Sequence, residues 1–590
     1  MVRAASGELW DYVRGQVIGR NARIDTPFGP RVMTYADHTA SGRGVRFVER
    51  YLERVLELYG NTHTEDDATG RTTTRRLHQA ESTIKRLVGA DERYKLIEVG
   101  AGTTGAVHRL QQILGIYIPP AAKAVILDDL DRLLGRKSAR DLVGKLKQQR
   151  PVVFVGPYEH HSNEVSWREC WSDVVEIDLS PDGGLDLEDL DRKVSDPAYA
   201  NRRRIGAFSA ASNVSGVKTP VHEVARILHR HGALAFFDYA AIAPYVSIDV
   251  HHDDETYFDA VYFSPHKFLG GPGSSGLLII HEGLYRGDLP PTVGAGGTVN
   301  FVDFTGQQYD PDIEIREKPG TPGILQILRA SLAMELVDRL GTDAIAARED
   351  ELLGKALSVL SADPAIEILG PRDPALRIAI VSFNIREGGS YLHPRYVTLL
   401  LNDLFGIQSR AGCSCAGPYG HRMLHLDEIQ SATLRDRINR GVLGLRPGWV
   451  RVNFHFLLTD DEAQFLLDAV RFVAAYGRFF LPLYRFDVRT GSWEFRGSEV
   501  VRSLPADLVG EDVDPSDAVQ CGMHSVAPFG LDDAFSSDRE GECGCSSAIS
   551  ERQSYLERAR RIADALQERY PDLHLRSTLK DLIPFVYVQG

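Results

Sequence analysis

Cysteine is scarce in this chain, with six in 590 residues. That is far below the density at which disulfides replace a hydrophobic core, which excludes a disulfide-framed secreted scaffold. Five of the six fall after residue 410, as the close pairs Cys413/Cys415 and Cys543/Cys545 with Cys521 between them. A reducing compartment and reactive thiols are the expectation. Also missing is an uninterrupted run of about 18 apolar residues, the length a membrane-spanning helix needs. Residues 1–25 scatter Arg3, Glu8, Asp11 and Arg14 among their apolar positions, which opposes a secretory signal. The sequence therefore reads as a soluble, cytoplasmic protein whose mature chain starts at Met1. Positive charge is in deficit, with a formal net charge of -14. Such a balance opposes DNA or RNA phosphates and anionic lipid, so neither nucleic acid nor a membrane is an expected partner. No internal repeat is present.

What is present is an ordinary globular composition, 43% hydrophobic and 25% charged, spread over more residues than one core organises. Between about 95 and 285, short apolar runs alternate with helical patterns, the signature of a parallel sheet covered on both faces. Val152 to Val155, Ile205 to Phe208, Ala233 to Phe237 and Ala260 to Phe263 read as buried strands. Val221, Val224, Ile227 and Leu228 mark a crossover helix closed by Gly232, and a longer helix runs from Ile324 through Leu340 to Gly341. Beyond it, Ala375 to Ile385 reads as a strand, Val397 to Phe405 as a helix, and Trp449 to Phe456 as a strand before a helix through Phe472. Residues 491–550 read as loop, rich in Pro, Ser, Gly and acid. Ser550 and Gln553 form a capping-box pattern for a last amphipathic helix carrying Tyr555, Leu556, Ala559, Ile562 and Leu566 and stopped by Pro571. The expected parts are an arm (1–30), a large α/β domain (31–323), a smaller α+β domain (324–480) and an extension (481–590).

In open parallel sheets, ligands bind beyond the carboxyl ends of the strands. There the strand Ala260 to Phe263 runs into Ser264-Pro265-His266-Lys267, and the strand Ala233 to Phe237 ends in Asp238. A lysine after a buried strand is commonly just a surface residue. A Lys and an Asp at one sheet lip are also what pyridoxal 5'-phosphate requires: the amine forms the Schiff base, and the carboxylate keeps the pyridine nitrogen protonated. Gly102-Thr103-Thr104-Gly105, before the helical pattern Ala106 to Leu114, offers hydroxyls and backbone N–H groups to a phosphate, although ordinary capping accounts for it too. Val152 to Val155 leads to Glu159-His160-His161-Ser162-Asn163, where an imidazole could lie on a cofactor ring or simply face solvent.

Together these motifs resemble the class V branch of fold-type I pyridoxal phosphate enzymes, most closely the cysteine desulfurase and selenocysteine lyase group, over roughly residues 30–475. The resemblance implies a fold-type I α/β architecture with the large domain binding the cofactor. Lys267 becomes the cofactor lysine, Asp238 the pyridine partner and His160 the stacking imidazole. Thr103, Thr104, Ser264 and His266 become phosphate ligands, and Asn213 a contact to the ring and the substrate carboxylate. Arg410-Ala411-Gly412-Cys413-Ser414-Cys415-Ala416-Gly417-Pro418 resembles the desulfurase pattern R-x-G-x-x-C-A-x-P. By that resemblance Cys415 is the nucleophile that takes sulfur from L-cysteine as a persulfide, releasing alanine, and Arg410 holds the substrate carboxylate. Gly296-Gly297-Thr298 and Gly320-Thr321-Pro322 resemble segments that family dimers contribute across subunits, which implies a homodimer with Thr321 near phosphate.

Alternatives remain open at several points. Cys413 and Cys415 could be small packing residues. With Cys543, Cys545, Cys521 and His524 they could form part of a metal site, although the spacing matches no common framework, and no metal is the working expectation. The tail cysteines could relay sulfur to an acceptor protein or be unreactive. The family's usual glutamine three residues after the ring aspartate is Ala241 here, and His38 and Thr39 replace small residues. An aminotransferase, epimerase or β-eliminating lyase that forms no persulfide is therefore a second reading. A sulfur carrier or scaffold with a vestigial cofactor fold is a third, and the retained Lys267 opposes it.

Overall fold

The computed structural model describes residues 2–504 except 63, 65 and 101, and residues 545–571, 573, 575–577 and 585–587. Cys521, His524, Cys543 and most of the acidic stretch lie outside the described residues, as does the side chain of Cys545. The chain divides into two compact units. One holds Met1–Ile18, Thr39–Ala347 and Leu376–Ile378; the other holds Gly19–His38, Arg348–Ala375 and Ala379–Gly590. These limits differ from the sequence boundaries at 31, 324 and 481. The long helix after residue 324 packs within the first unit, and the extension packs within the second.

The first unit is built on a seven-stranded sheet of β1 (Tyr94–Val99), β2 (Val152–Val155), β3 (Asp173–Glu176), β4 (Arg204–Ser209), β5 (Leu234–Asp238), β6 (Ala260–Phe263) and β7 (Gly276–His281). Their order across the sheet is β1-β7-β6-β5-β4-β2-β3. All neighbours are parallel except β7, which runs antiparallel to both β6 and β1. Its helices include α1 (Gly102–Ile113), α2 (Pro120–Leu134), α3 (Arg136–Gln148), α4 (His161–Arg168), α5 (Val221–Arg230) and α6 (Ile324–Leu340). Strands buried on both faces explain the unbroken apolar runs. Ala106, Val107 and Leu110 of α1 and Trp167 of α4 share one core with Val153, Ala207, Phe236 and Tyr262. Gly206 admits α5 close to the sheet, because a Cβ there would lie 2.4 Å from Leu228 Cδ1.

The sequence placed Gly102 to Gly105 before α1, whereas all four residues form its first turn. Gly102 enters with a φ of +55°. The hairpin of α2 and α3 carries no signal that the sequence reading picked up, since its apolar residues other than Ala139 are not buried.

The second unit contains α7 (Thr342–Ser361) from Arg348 onward, β8 (Ile366–Ile368), β9 (Ile380–Glu387), β10 (Ser390–Leu392), α8 (Pro394–Phe405), β11 (Arg410–Gly412), α9 (Gly417–Met423), β12 (Trp449–Asn453), α10 (Asp460–Tyr476), α11 (Cys545–Arg569), β13 (Arg576–Ser577) and β14 (Phe585–Tyr587). Among the described residues its sheet runs β11-β12-β9-β10-β14-β13, with β8 paired to β9. Thr34 and Tyr35 pair in parallel with Ile407 and Gln408, so an early segment of the chain completes this unit.

Three expectations need correction here. The strand expected over 375–385 begins only at Ile380, because Pro374–Leu376 forms a 3-10 turn. The stretch 491–550 is not all loop: Ser492–Phe495 is a strand and Ser498–Arg502 a helix. Finally, α11 starts at Cys545, so Ser550 and Gln553 are interior helix residues rather than a cap. Buried Ala548 extends the packed face about two turns ahead of Tyr555, which carries the helix past the local capping pattern. Tyr555, Ala559, Ile562 and Leu566 all sit in the second unit's core. No helix of the described residues is long and apolar enough to cross a membrane.

Candidate active site

In the first unit, the chemistry-bearing residues gather at the carboxyl ends of the strands. Ser264 follows β6 directly. Its Oγ accepts the Thr103 N–H at 2.8 Å and lies 2.8 Å from Thr103 Oγ1, joining the first turn of α1 to the loop that carries Lys267. Thr104 Oγ1 lies 2.7 Å from Ser162 Oγ, which links α1 to α4. A Cβ on Gly102 would stand 2.9 Å from Ser264 Oγ, and one on Gly276 would collide with the Gly102 backbone at 2.3 Å. These two glycines let strand, loop and helix start converge closely, bringing together N–H and O–H groups of the kind that hold a phosphate dianion.

Lys267 ends a 3-10 turn, Pro265–Lys267. The adjacent His266 is held below the usual imidazole range, first by burial and then by the positive charge of Lys267, which disfavours its protonated form. His266 O accepts the Gly42 N–H at 3.0 Å, fixing the loop from the other side. Asp238 closes β5 and is buried. Burial pushes its carboxyl up to about 6, moderated by the Ala240 N–H, 2.8 Å from Oδ1, and by Lys267. Inside the protein this buried carboxyl is compensated by one backbone donor and the nearby Lys267 charge, and a protonated pyridine nitrogen would add a cation beside it.

His160 is the N-cap of α4, and its Nδ1 accepts the Ser162 N–H at 3.1 Å. This fixes the ring's rotation and directs its proton to Nε2. Asn213 is buried in a tight turn in which Ser212 Oγ accepts the N–H groups of Val214 and Ser215, and Gly216 adopts a φ of +77°. Thr321 Oγ1 accepts from Asn61 Nδ2 at 3.2 Å, and the Gly320 N–H meets Gly296 O at 2.8 Å, so the two glycine segments touch.

The sequence quoted Glu159 without giving it a role. Its buried carboxyl accepts the Ser209 N–H and Oγ–H, the Gly156 N–H and the Asn163 amide, tying the ends of β2 and β4 to α4. Burial drives it up to about 7 despite those donors. Asn163 Oδ1 in turn accepts from Trp167 Nε1 and from Tyr262 Oη. Only its place beside His160 hinted at this, since the partner Ser209 is fifty residues away.

The second unit carries the thiol loop. Cys413 and Cys415 are both exposed, so neither is a packing residue. Ser414 and Cys415 have φ values of 49° and 55°, and Gly412 before them has 120°. Two consecutive non-glycine residues in the left-handed region are costly, about 1–3 kcal/mol each. A hydrogen bond from the Ala416 N–H to Cys413 O at 3.0 Å closes the turn. Arg410, at the start of β11, is half-exposed and pairs with Asp37 at 3.0 Å; Arg451, buried on β12, takes the other oxygen of Asp37 at 3.0 Å. Beyond Asp37, the rings of His38 and His455 stack 3.8 Å apart. That one carboxylate holds two guanidinium groups was not legible in the sequence.

Of the expected residues, Lys267, Asp238, Thr103, Thr104, Ser264, His266, His160 and Asn213 belong to the first unit, and Cys415 and Arg410 to the second. The donor set, the close approach at the glycines and the buried Asp238 fit a cofactor bearing both a phosphate and a basic ring nitrogen.

The family model Aminotransferase class-V matches residues 139–466. A probable cysteine desulfurase of Halalkalibacterium halodurans is 32% identical over 270 residues, covering 45% of this chain and 62% of that protein. A cysteine desulfurase of Escherichia coli matches to the same extent. The chain thus spans less than two thirds of the length of these curated relatives. Among solved structures, the apo cysteine desulfurase of Thermococcus onnurineus superposes with a TM-score of 0.60 at 22% identity, over 79% of this chain and 98% of that one. An Escherichia coli cysteine desulfurase in an S-sulfonic acid form gives 0.57 at 21%, over 78% and 97%. At such identities the likeness is one of fold.

Proposed function

Because the chain belongs to the aminotransferase class-V family, we propose that it is a pyridoxal-phosphate-dependent cysteine desulfurase that removes sulfur from L-cysteine as a persulfide on Cys415 and releases alanine. Bound pyridoxal phosphate supplies the electron sink that labilises the amino acid's Cα proton and, through it, the bond to sulfur. Thr103, Thr104, Ser264 and His266 hold the phosphate, with Thr321 as a further donor, and Asp238 holds the proton on the ring nitrogen. His160 braces the ring through the rotation its cap bond fixes. The Lys267 amine anchors the cofactor and moves the proton between Cα and solvent. Arg410 takes the substrate carboxylate, oriented by Asp37, and Asn213 supplies a second polar contact.

The Cys415 thiolate then attacks the substrate sulfur. A sulfur–sulfur bond forms and the carbon–sulfur bond breaks, its electron pair staying on the carbon side; a proton completes the alanine methyl group. The observation that carries this reading is the exposed Cys415, set in left-handed backbone five residues after Arg410. A thiol meant only to line a pocket has no need of a strained, solvent-facing loop.

On this reading the protein is a homodimer in the cytoplasm that passes its persulfide sulfur to an acceptor protein. The test is anaerobic incubation of cofactor-loaded protein with L-cysteine, following alanine and protein-bound persulfide, with Cys415→Ser alongside. Stoichiometric persulfide and alanine, both absent from a Cys415→Ser protein that keeps its yellow cofactor, support the assignment. Pyruvate, a keto acid, or undiminished turnover in the variant sinks it in favour of a lyase or aminotransferase that forms no persulfide.

A further inference from the structure

The hairpin of α2 and α3 is held to the first unit at its root and otherwise exposes apolar side chains. Lys123 lies over the Trp171 ring at 5.8 Å and Arg150 over the same ring at 5.5 Å. Beyond that anchor α2 has no buried residue, and α3 has only Ala139. Leu133 is 74% exposed and Val125 61%, with Ile126, Leu134, Leu142 and Leu146 also exposed. Helical spacing gathers apolar residues into stripes: Ile126, Leu130 and Leu133 on one helix, Leu142 and Leu146 on the other. So large an aliphatic surface on a soluble chain marks a contact face.

The charges on the hairpin point to its occupant. Within α2 the acids Asp128, Asp129 and Asp131 outnumber the bases Lys123 and Arg132. Within α3 the five bases Arg136, Lys137, Arg140, Lys145 and Lys147 face a single acid, Asp141. The hairpin carries seven bases against four acids, so an anionic lipid surface engages α3 but leaves the acids of α2 unmatched, on a chain that is strongly acidic overall. A two-fold axis between two hairpins instead sets the acidic helix of each copy against the basic helix of the other, satisfying both at once.

We propose that the α2–α3 hairpin is a self-association surface, through which two copies of this chain pack their helices into an antiparallel four-helix arrangement. This contact is distinct from the pairing expected through Gly296–Thr298 and Gly320–Pro322. Helices of 15 and 13 residues are only about 20 Å long at a rise of about 1.5 Å per residue. The interface is therefore at the small end of specific contacts, and the association depends on concentration.

The test is sedimentation velocity of the full, cofactor-loaded chain over a range of concentrations. Leu133→Asp with Leu146→Asp halves the mass reached by the wild type at high concentration, with helix content by circular dichroism unchanged. Two charge variants make the result specific. Reversing Asp128, Asp129 and Asp131 to Lys, or Arg140, Lys145 and Lys147 to Glu, weakens association about tenfold or more in either chain alone, while mixing the two variants restores it. A mass unaffected by all of these changes overturns the proposal. So does a mixture that fails to re-associate, and so does wild-type binding to anionic vesicles that the apolar variant loses while its mass stays the same.

Discussion

Replacing Asp238 by Asn separates what this residue does for the fold from what it does for the cofactor. The carboxyl is buried, and burial lifts it from 3.8 to about 6. At about 1.4 kcal/mol per pH unit, that rise corresponds to about 3 kcal/mol against the charged form. For an acid raised in the folded state, the folded chain binds the extra proton between pH 3.8 and about 6. Stability accordingly falls as pH rises through that window and remains lower at neutral pH. Asparagine carries no charge, keeps an oxygen for the Ala240 N–H and has nearly the same shape. The cofactor-free Asp238→Asn protein is therefore expected to be more stable than wild type at pH 7.5, by up to about 3 kcal/mol, and to lose that advantage near pH 4. Adding pyridoxal phosphate reverses the ranking at pH 7.5, since only the carboxylate pairs with the ring nitrogen. Thermal melts with and without cofactor at the two pH values read all four states. An apo variant that is less stable than wild type at both pH values refutes the reasoning, because the carboxylate would then be a structural support and not a charge held in waiting.

Other perturbations test the remaining parts. Gly102→Ala forces a side chain into left-handed backbone, at about 1–2 kcal/mol, with its Cβ 2.9 Å from Ser264 Oγ; equilibrium dialysis should show pyridoxal phosphate binding weakened at least tenfold while the apo protein stays folded. Asp37→Asn removes the carboxylate that Arg410 and Arg451 share, and steady-state kinetics should show KM for L-cysteine rising more than kcat falls. Ile562→Ala empties a fully buried site in α11, which should cost about 2–5 kcal/mol and appear in urea unfolding as an earlier transition of the second unit alone.

The parts of this fold that were legible in the sequence are those whose environment is uniform. Val152–Val155 and Ala260–Phe263 match the expected strands to the residue, because a strand buried on both faces must be apolar throughout and stops where burial stops. Ile324–Leu340 was equally clear, bounded by a glycine at φ +84°. Lys267, Asp238 and Cys415 were visible because their chemistry is unusual at a strand end or in a glycine-flanked loop. What was hidden depends on partners distant in sequence: the Glu159–Ser209 bond, the two arginines on Asp37, and a terminal helix that begins before its apparent cap. The α2–α3 hairpin escaped for the opposite reason, since its apolar residues meet no core within the chain and so leave only a weak pattern.

The second unit is assembled from stretches of chain far apart in sequence, and this sets a timetable for its synthesis. The Thr34 N–H bonds to Gly406 O, and the Tyr555 hydroxyl accepts from the Val32 N–H. At about 5–20 residues per second, a ribosome takes roughly 20–70 s to travel from the first of these partners to residue 406, and longer to deliver α11. Through that interval the segment Gly19–His38 waits with its strand edge open, while the first unit, whose sheet is complete by residue 281, is free to fold. A nascent chain arrested before residue 545 should thus carry a finished cofactor cradle and an unfinished thiol-bearing unit, and chaperones would meet the protein chiefly through the latter.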